Sequence, residues 1–229
     1  MRKLTLVALA ILVSAPLAAE EVDRTVDAAS DGTVQVSNIA GSVTIDGWDR
    51  SLVQVKGELG RNVEELIVER DGDQVTIKVK VPKRGGRGIE SDLYISVPED
   101  SALDVSTVSA DIEVTAVRGY QKLEAVSGDI DTEAFKADIR AGTVSGDVVV
   151  KGRGEDTETR SNSVSGDVTL YRLSGEASAE SVSGDVVVEG GSFDRANFNT
   201  VNGDIEFNAE LRSDGRLSAE TVNGEVDLQ

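Results

Sequence analysis

The chain of 229 residues contains no cysteine and no histidine, only three prolines, one tryptophan, three tyrosines and four phenylalanines. Without cysteine there is neither a disulfide nor a lipidated residue behind a leader, so packing and backbone pairing alone carry stability and a lipoprotein anchor is excluded. Without histidine the commonest general base and the commonest imidazole metal ligand are missing. Positive charge is also short. The 23 Lys and Arg face 42 Asp and Glu, a net charge of −19, which becomes −21 once Arg2 and Lys3 are set aside. Such a surface repels nucleic acid and anionic membranes and favours solubility or association with cations.

Long apolar runs are absent apart from Leu4 to Val13, which is too short to span a bilayer. Preceded by Arg2 and Lys3 and followed by the small residues Ala15 to Ala19, it predicts a secretory signal peptide over residues 1–19. Cleavage is expected after Ala19, with Ala18 as the alternative. The remainder is then an exported chain, periplasmic or extracellular, with no integral membrane segment.

What the sequence does contain is a repeated five-residue motif. Its copies are Val108-Ser-Ala-Asp-Ile112, Val126-Ser-Gly-Asp-Ile130, Val144-Ser-Gly-Asp-Val148, Val164-Ser-Gly-Asp-Val168, Val182-Ser-Gly-Asp-Val186, Val201-Asn-Gly-Asp-Ile205 and Val222-Asn-Gly-Glu-Val226. Their starts lie 18, 18, 20, 18, 19 and 21 residues apart, the spacing of stacked solenoid coils. The fold expected is all-β: a parallel β-helix or β-solenoid of about seven 18- to 21-residue coils over residues 101–229, continuous with an irregular, strand-rich N-terminal cap over 20–100. The cap's alternating runs are Thr33 to Val36, Ser42 to Ile45, Leu52 to Lys56, Gln74 to Val81 and Asp92 to Val97, and Val63 to Ile67 is its one candidate helix. Basic residues Lys80, Lys83, Arg84 and Arg87 fall in a Gly-rich stretch that reads as a surface loop.

The apolar parity shifts once in each repeat. Leu123 and Ala125, Ile139 and Ala141, or Ala177 and Ala179 share one strand face, and a second strand follows in the opposite parity. Placing the corner just before the motif's first valine turns Val126, Val144, Val164, Val182, Val201 and Val222 inward, each worth about 1.5 to 3 kcal/mol on burial. On that reading Val182→Asp unfolds the rod and Ser183→Ala does little. Gly128, Gly146, Gly166, Gly184, Gly203 and Gly224 then supply a small inward position. The rival reading makes Ser-Gly or Asn-Gly a hairpin turn that pairs Val201 with Asp204 and Thr200 with Ile205. It leaves Val201 opposite Phe198 and Ile205, so parallel stacking is preferred.

Stacking about 4.8 Å apart turns like positions into ladders. The acidic one runs through Asp111, Asp129, Asp147, Asp167, Asp185, Asp204 and Glu225, the only repeated ionisable feature. Calcium binding is its functional reading, since calcium favours clustered oxygen ligands, but Ca-loaded β-rolls use a nine-residue unit with paired glycines that this chain lacks. The plainer reading gives each carboxylate a nearby backbone N–H to accept. A carbohydrate-cleaving β-helix would need a basic residue beside acidic ones. Arg140, Lys151, Arg153, Arg160 and Arg172 qualify singly, yet nothing groups them with unique carboxylates, and Trp48 reads as a turn anchor. An ice-binding hydroxyl face is disfavoured by the charged, uneven outward rows.

Taken together, Gly41-Ser-Val-Thr-Ile-Asp-Gly-Trp-Asp49 with the strand Leu52 to Lys56, then Asp92-Leu-Tyr-Ile-Ser-Val-Pro98, and the repeated Val-Ser-Gly-Asp-Val resemble a bacterial adhesin-like β-strand-repeat family of exported proteins. The resemblance implies a β-solenoid envelope protein and brings no catalytic residue, metal or cofactor with it. The function expected is a non-enzymatic binding or scaffold module whose partner is an envelope protein or glycan. Calcium binding is the alternative and a carbohydrate-active enzyme the next. A monomer with weak end-to-end association completes the expectation.

Overall fold

The computed structural model describes residues 20–83 and 86–229; the leader expected over 1–19 and Arg84 of the basic loop lie outside the described residues. Every regular element among them is a strand. The first seven are β1 (Glu20–Asp27), β2 (Thr33–Trp48), β3 (Leu52–Leu59), β4 (Glu65–Asp71), β5 (Gln74–Lys80), β6 (Ser91–Pro98) and β7 (Ala102–Thr115). Short strands follow: β8 (Gln121–Glu124), β9 (Ile130–Ala134), β10 (Ile139–Gly142), β11 (Val148–Gly152) and β12 (Asp156–Asn162). The last four are β13 (Val168–Glu180), β14 (Val186–Asn202), β15 (Ile205–Asn223) and β16 (Val226–Leu228).

The N-terminal strands mix orientations. β1 runs antiparallel to β3 and β3 antiparallel to β6, whereas β6 and β5 each lie parallel to β2. The helix expected over Val63 to Ile67 is not formed. Its apolar residues enter β4, where Leu66 pairs with Val79 and Val68 with Ile77 across an antiparallel ladder closed at Asp71-Gly72-Asp73. Five residues with three β-branched or leucine side chains cannot offset the cost of nucleating a helix when a partner strand is at hand.

From β7 onward all pairing is parallel, between residues one repeat apart, in a β-solenoid-like stack. One path runs from the first half of β7 through β8, β10 and β12 to the second halves of β13, β14 and β15. The other runs from the second half of β7 through β9 and β11 to the first halves of β13, β14 and β15 and then β16. Ile205 therefore pairs with Val186 and Val226, and the hairpin partner Thr200 pairs with Thr221 instead. Ile112, Ile130, Val148, Val168, Val186 and Ile205 form one interior ladder, each buried to 1 % exposure or less.

Facing this ladder, the other path contributes Leu123, Ala141 and Ala179, and toward the C-terminal layers Phe198 joins Phe193 and Phe207, with ring centroids 5.9 Å apart in each neighbouring pair. Most polar groups in the interior are bonded, the Ser101 and Ser161 hydroxyls being exceptions. Gln121 donates through Nε2 to the carbonyls of Val117 (3.2 Å) and Glu133 (3.0 Å) and accepts from the Thr132 hydroxyl, so a buried amide costs little here. Thr157 and Thr159 bond each other at 2.8 Å.

Candidate functional site

The motif builds a corner, and the corner lies one residue later than the sequence suggested. Thr107, Ala125, Thr143, Ser163, Ser181 and Thr200 point inward, while the valine that follows each is exposed: Val108 42 %, Val126 46 %, Val144 45 %, Val164 42 %, Val182 44 % and Val201 40 %, with Val222 at 74 %. The expected inward placement of these valines is thus wrong, and the reason is a hydrogen bond. Each turn leaves a backbone carbonyl at the glycine aimed at the next layer. The inward hydroxyl caps it: Thr143 Oγ1 to Gly128 O (3.0 Å), Ser163 Oγ to Gly146 O (2.9 Å), Ser181 Oγ to Gly166 O (3.0 Å), Thr200 Oγ1 to Gly184 O (2.9 Å) and Thr221 Oγ1 to Gly203 O (2.9 Å). Where Ala125 lacks a hydroxyl, Thr107 reaches the equivalent Ala110 carbonyl at 2.8 Å from its own layer.

The magnitudes explain the choice. A buried carbonyl left unmade costs about 1 to 3 kcal/mol. An outward valine does not forfeit all its burial, because more than half of each residue from Val108 to Val201 is covered by its neighbours in the row; the loss is roughly half of about 1.5 to 3 kcal/mol. Hydroxyl in, valine out is therefore the cheaper arrangement. Glycine follows from the same close stacking. A Cβ at Gly128, Gly146, Gly166, Gly184, Gly203 or Gly224 would lie 2.0–2.2 Å from the carbonyl oxygen of the preceding layer.

The acidic row is wired to the backbone. Asp111 Oδ1 accepts from Asp129 N at 3.0 Å, Asp129 from Asp147 N at 2.9 Å, Asp147 from Asp167 N at 2.9 Å, and Asp167 from Asp185 N at 2.8 Å. Asp185 accepts from Asp204 N and Asp204 from Glu225 N, each at 2.8 Å. One oxygen of each Asp thus substitutes for the carbonyl that a straight ladder would supply, and the other faces solvent. Neighbouring like charges about 4.8 Å apart in water repel by only about 1 kcal/mol, less than a charge-assisted bond returns. Among the described residues no three acidic side chains gather around a common metal-sized point.

The five candidate basic residues divide between two separate corners. Arg140 and Arg160 stack directly on each other and on Lys122, on the strand face upstream of the valine row. Lys122 is held above the usual lysine range, first by its bond to Glu124 (3.1 Å), with Asp104 (3.8 Å) adding to it. Lys151, Arg153 and Arg172 sit at the opposite corner, where Lys151 pairs with Asp131 at 2.6 Å and Arg153 pairs with Glu133. Trp48 donates to Leu52 O at 2.9 Å and carries the Arg50 guanidinium 4.9 Å over its ring, the geometry of a turn anchor.

That opposite corner is where the repeat is broken. Val117 and Leu173 are buried there, but the residues at the same step of the two intervening layers, Phe135 and Arg153, turn outward to half-buried and exposed positions. Between them opens a surface cavity of about 640 Å³ lined by Asp100, Arg118, Phe135, Lys136, Arg153 and Glu155. Arg118 is tied to Glu99 at 3.0 Å, and Ala116 N, on a residue with a left-handed φ of 56°, donates to Glu133 at 3.2 Å. Sequence reading passed over Phe135. Its signal was a large aromatic in a connection whose counterparts one layer before and two layers after are an inward Val and Leu.

A family model described as Toastrack DUF4097 matches residues 33–229. The chain belongs to this family. No curated protein matches the Toastrack chain. Solved structures align with the chain at low identity. A candidate lipid-binding protein from Parabacteroides distasonis aligns with TM-score 0.50 and 12 % identity over 91 % of this chain and 97 % of its own. An adhesin-like protein from Bacteroides fragilis aligns at 0.46 and 12 % over the same shares, and a candidate cell adhesion protein from Clostridium sporogenes at 0.42 and 12 % over 91 % and 99 %. Among the described residues of the Toastrack chain no helix is long and apolar enough to cross a membrane.

Proposed function

We propose that this Toastrack chain is an exported, non-enzymatic binding or scaffold module of the cell envelope, built as a parallel β-solenoid of about seven coils. The observation that carries the reading is the division of labour between the two corners. At the Val-Ser-Gly-Asp corner the hydroxyl, glycine and carboxylate ladders are consumed in holding layers together. At the other, the pattern gives way to a cavity that offers one aromatic ring and charged groups of both signs. An aromatic face beside fork-shaped guanidinium donors suits a sugar ring with acidic or hydroxyl substituents, so an envelope glycan is the ligand class favoured over a protein.

The test is titration of the purified protein with soluble envelope polysaccharide fragments, neutral and acidic, followed by calorimetry. Phe135→Ala and Arg153→Ala should each weaken binding at least about tenfold, roughly 1.4 kcal/mol, with an unchanged circular dichroism spectrum. No binding by the parent, or binding by both variants as tight as the parent's, overturns the reading.

A further inference from the structure

The outward valines form a continuous apolar ridge from Val108 to Val222, each 40 % exposed or more, on a chain of net charge −19. Two shallow cavities of about 400 and 500 Å³ run along its upstream side. The first lies between the ridge at Val144 and the stacked cations Lys122, Arg140 and Arg160, and the second continues past Val164, Val182 and Val201. On the downstream side runs the acidic row, with Oδ1 of each Asp committed to the backbone and Oδ2 free of partners among the described residues. In cross-section the order along the chain in the layers of Val126, Val144 and Val164 is therefore cation, groove, valine, carboxylate; the first place is taken by Asp104 in the layer of Val108 and by Ser178, Asn197 and Ser218 in the layers beyond Val164.

From this order we infer that the ridge is a docking surface for a second copy of the same chain, the two lying side by side and parallel about a two-fold axis along the stack. Such an axis makes the chain directions at the contact opposite in cross-section. The valine ridge of each copy then enters the groove of the other, and the carboxylate row of each meets the three cations of the other, with Asp104 against Asp111 the one like-charged layer. By symmetry each layer faces its own counterpart, so Lys122, Arg140 and Arg160 face Asp129, Asp147 and Asp167 of the second copy. Farther along, Ser178, which stacks on Arg160 in the same row, faces Asp185. An antiparallel pair sets carboxylate against carboxylate and is disfavoured. Two self-complementary faces of this kind are what an isologous interface requires. The size sets a bound. Seven layers at about 4.8 Å span about 34 Å, and the strip from cation row to acidic row is about seven residues, at most roughly 23 Å wide because it bends round the corner. The product is thus at most the roughly 800 Å² per partner of a standard stable interface. Arg140, whose guanidinium lies 5.9 Å over Tyr120 and makes no ion pair among the described residues, is the cation most available to the second copy.

Sedimentation equilibrium of the purified protein at about 10 to 100 μM in physiological salt tests this. The parent is expected to be dimeric. The pair Val144→Asp with Val164→Asp, and separately Arg140→Asp, should weaken association by about a hundredfold and about tenfold while leaving the circular dichroism spectrum near the parent's and thermal unfolding cooperative. Because the chain has no native cysteine, orientation is read from single cysteines. Val126→Cys alone and Val201→Cys alone should each give disulfide-linked dimers on oxidation. A monomeric parent at 100 μM overturns the inference, as does a dimer indifferent to both sets of changes. Cross-linking only when the two cysteine variants are mixed contradicts the parallel arrangement, and a parent that purifies with another molecule bound on the ridge assigns the surface to that molecule. The ridge and the Phe135 cavity occupy opposite corners, so loss of self-association leaves glycan binding intact.

Discussion

Replacing Gly184 by Ala should break one corner of the stack out of proportion to the single methyl added. The new Cβ would sit 2.1 Å from Gly166 O, whereas ordinary contact begins near 3.4 Å, so the two layers must part locally by more than 1 Å. Three bonds cross that gap: Ser183 N to Val164 O at 3.0 Å, Ser181 Oγ to Gly166 O at 3.0 Å and Asp185 N to Asp167 Oδ1 at 2.8 Å. At about 0.5 to 1.5 kcal/mol for each neutral bond and about 1.5 to 3 for the charged one, their loss amounts to roughly 4 kcal/mol. Val182 next door gives the contrast. It is 44 % exposed, so Val182→Asp should cost only about 1 kcal/mol through lost contact along the row, in place of the unfolding expected from an inward position. Urea unfolding followed by circular dichroism compares the two. With an m-value of about 2 to 3 kcal/mol/M, Gly184→Ala lowers the midpoint by about 1.5 M and Val182→Asp by about 0.4 M. Equal shifts, or a Gly184→Ala midpoint within about 0.3 M of the parent, would refute the reasoning.

Three further outcomes follow from the same geometry. Thr143→Val keeps the shape but strands the Gly128 carbonyl, so it should destabilise by about 1 to 3 kcal/mol in urea unfolding, and Thr143→Ser should recover most of the loss. Thermal midpoints in millimolar calcium and in chelator should agree at matched ionic strength, since each Asp of the row spends one oxygen on a backbone N–H and no three carboxylates converge among the described residues; a calcium-specific rise of several degrees would mean ligand binding to the native state. The Arg212 clip between Asp156 (3.0 Å) and Asp194 (2.7 Å) should fail in acid. Its bond to Arg212 holds the Asp156 carboxyl below the ordinary range, so the clip's contribution is whole above the unfolded value of about 3.9 and vanishes as pH falls through the lower folded value. The thermal midpoint gap between parent and Asp156→Asn should thus be present at pH 7 and close toward pH 2; a gap constant with pH would exclude that ion pair as its cause.

Much of the architecture was legible because it rests on periodicity. The spacing of the seven motif copies implied parallel layers, and Ile112, Ile130 and Val148 do form the interior ladder. The direction of the first valine was misread because hydrophobicity was weighed without asking where the glycine carbonyls find donors. The invariably small hydroxyl at 143, 163, 181 and 200 was the overlooked cue. Phe135 escaped notice for a different reason. A cavity formed by two adjacent layers turning outward depends on which residues of neighbouring connections stand beside one another, and connections of unequal length blur that alignment. The candidate helix failed because Leu66 and Val68 had a partner strand 13 and 9 residues farther on, a pairing that local propensity cannot see.

Thiol labelling of two single-cysteine variants addresses the corner most directly, since the parent has no cysteine to confuse the signal. Ser181→Cys and Val182→Cys are compared in the native state, in protein dilute enough to be monomeric, with a water-soluble maleimide. The account predicts that the thiol of the Val182→Cys variant reacts at nearly the rate of the unfolded chain. The thiol of the Ser181→Cys variant should be protected by a factor of about 100 or more, on the order of the roughly 3 kcal/mol needed to open a layer locally. Protection in the Val182→Cys variant with rapid labelling in the Ser181→Cys variant would contradict it, returning the valines to the interior and removing the ridge.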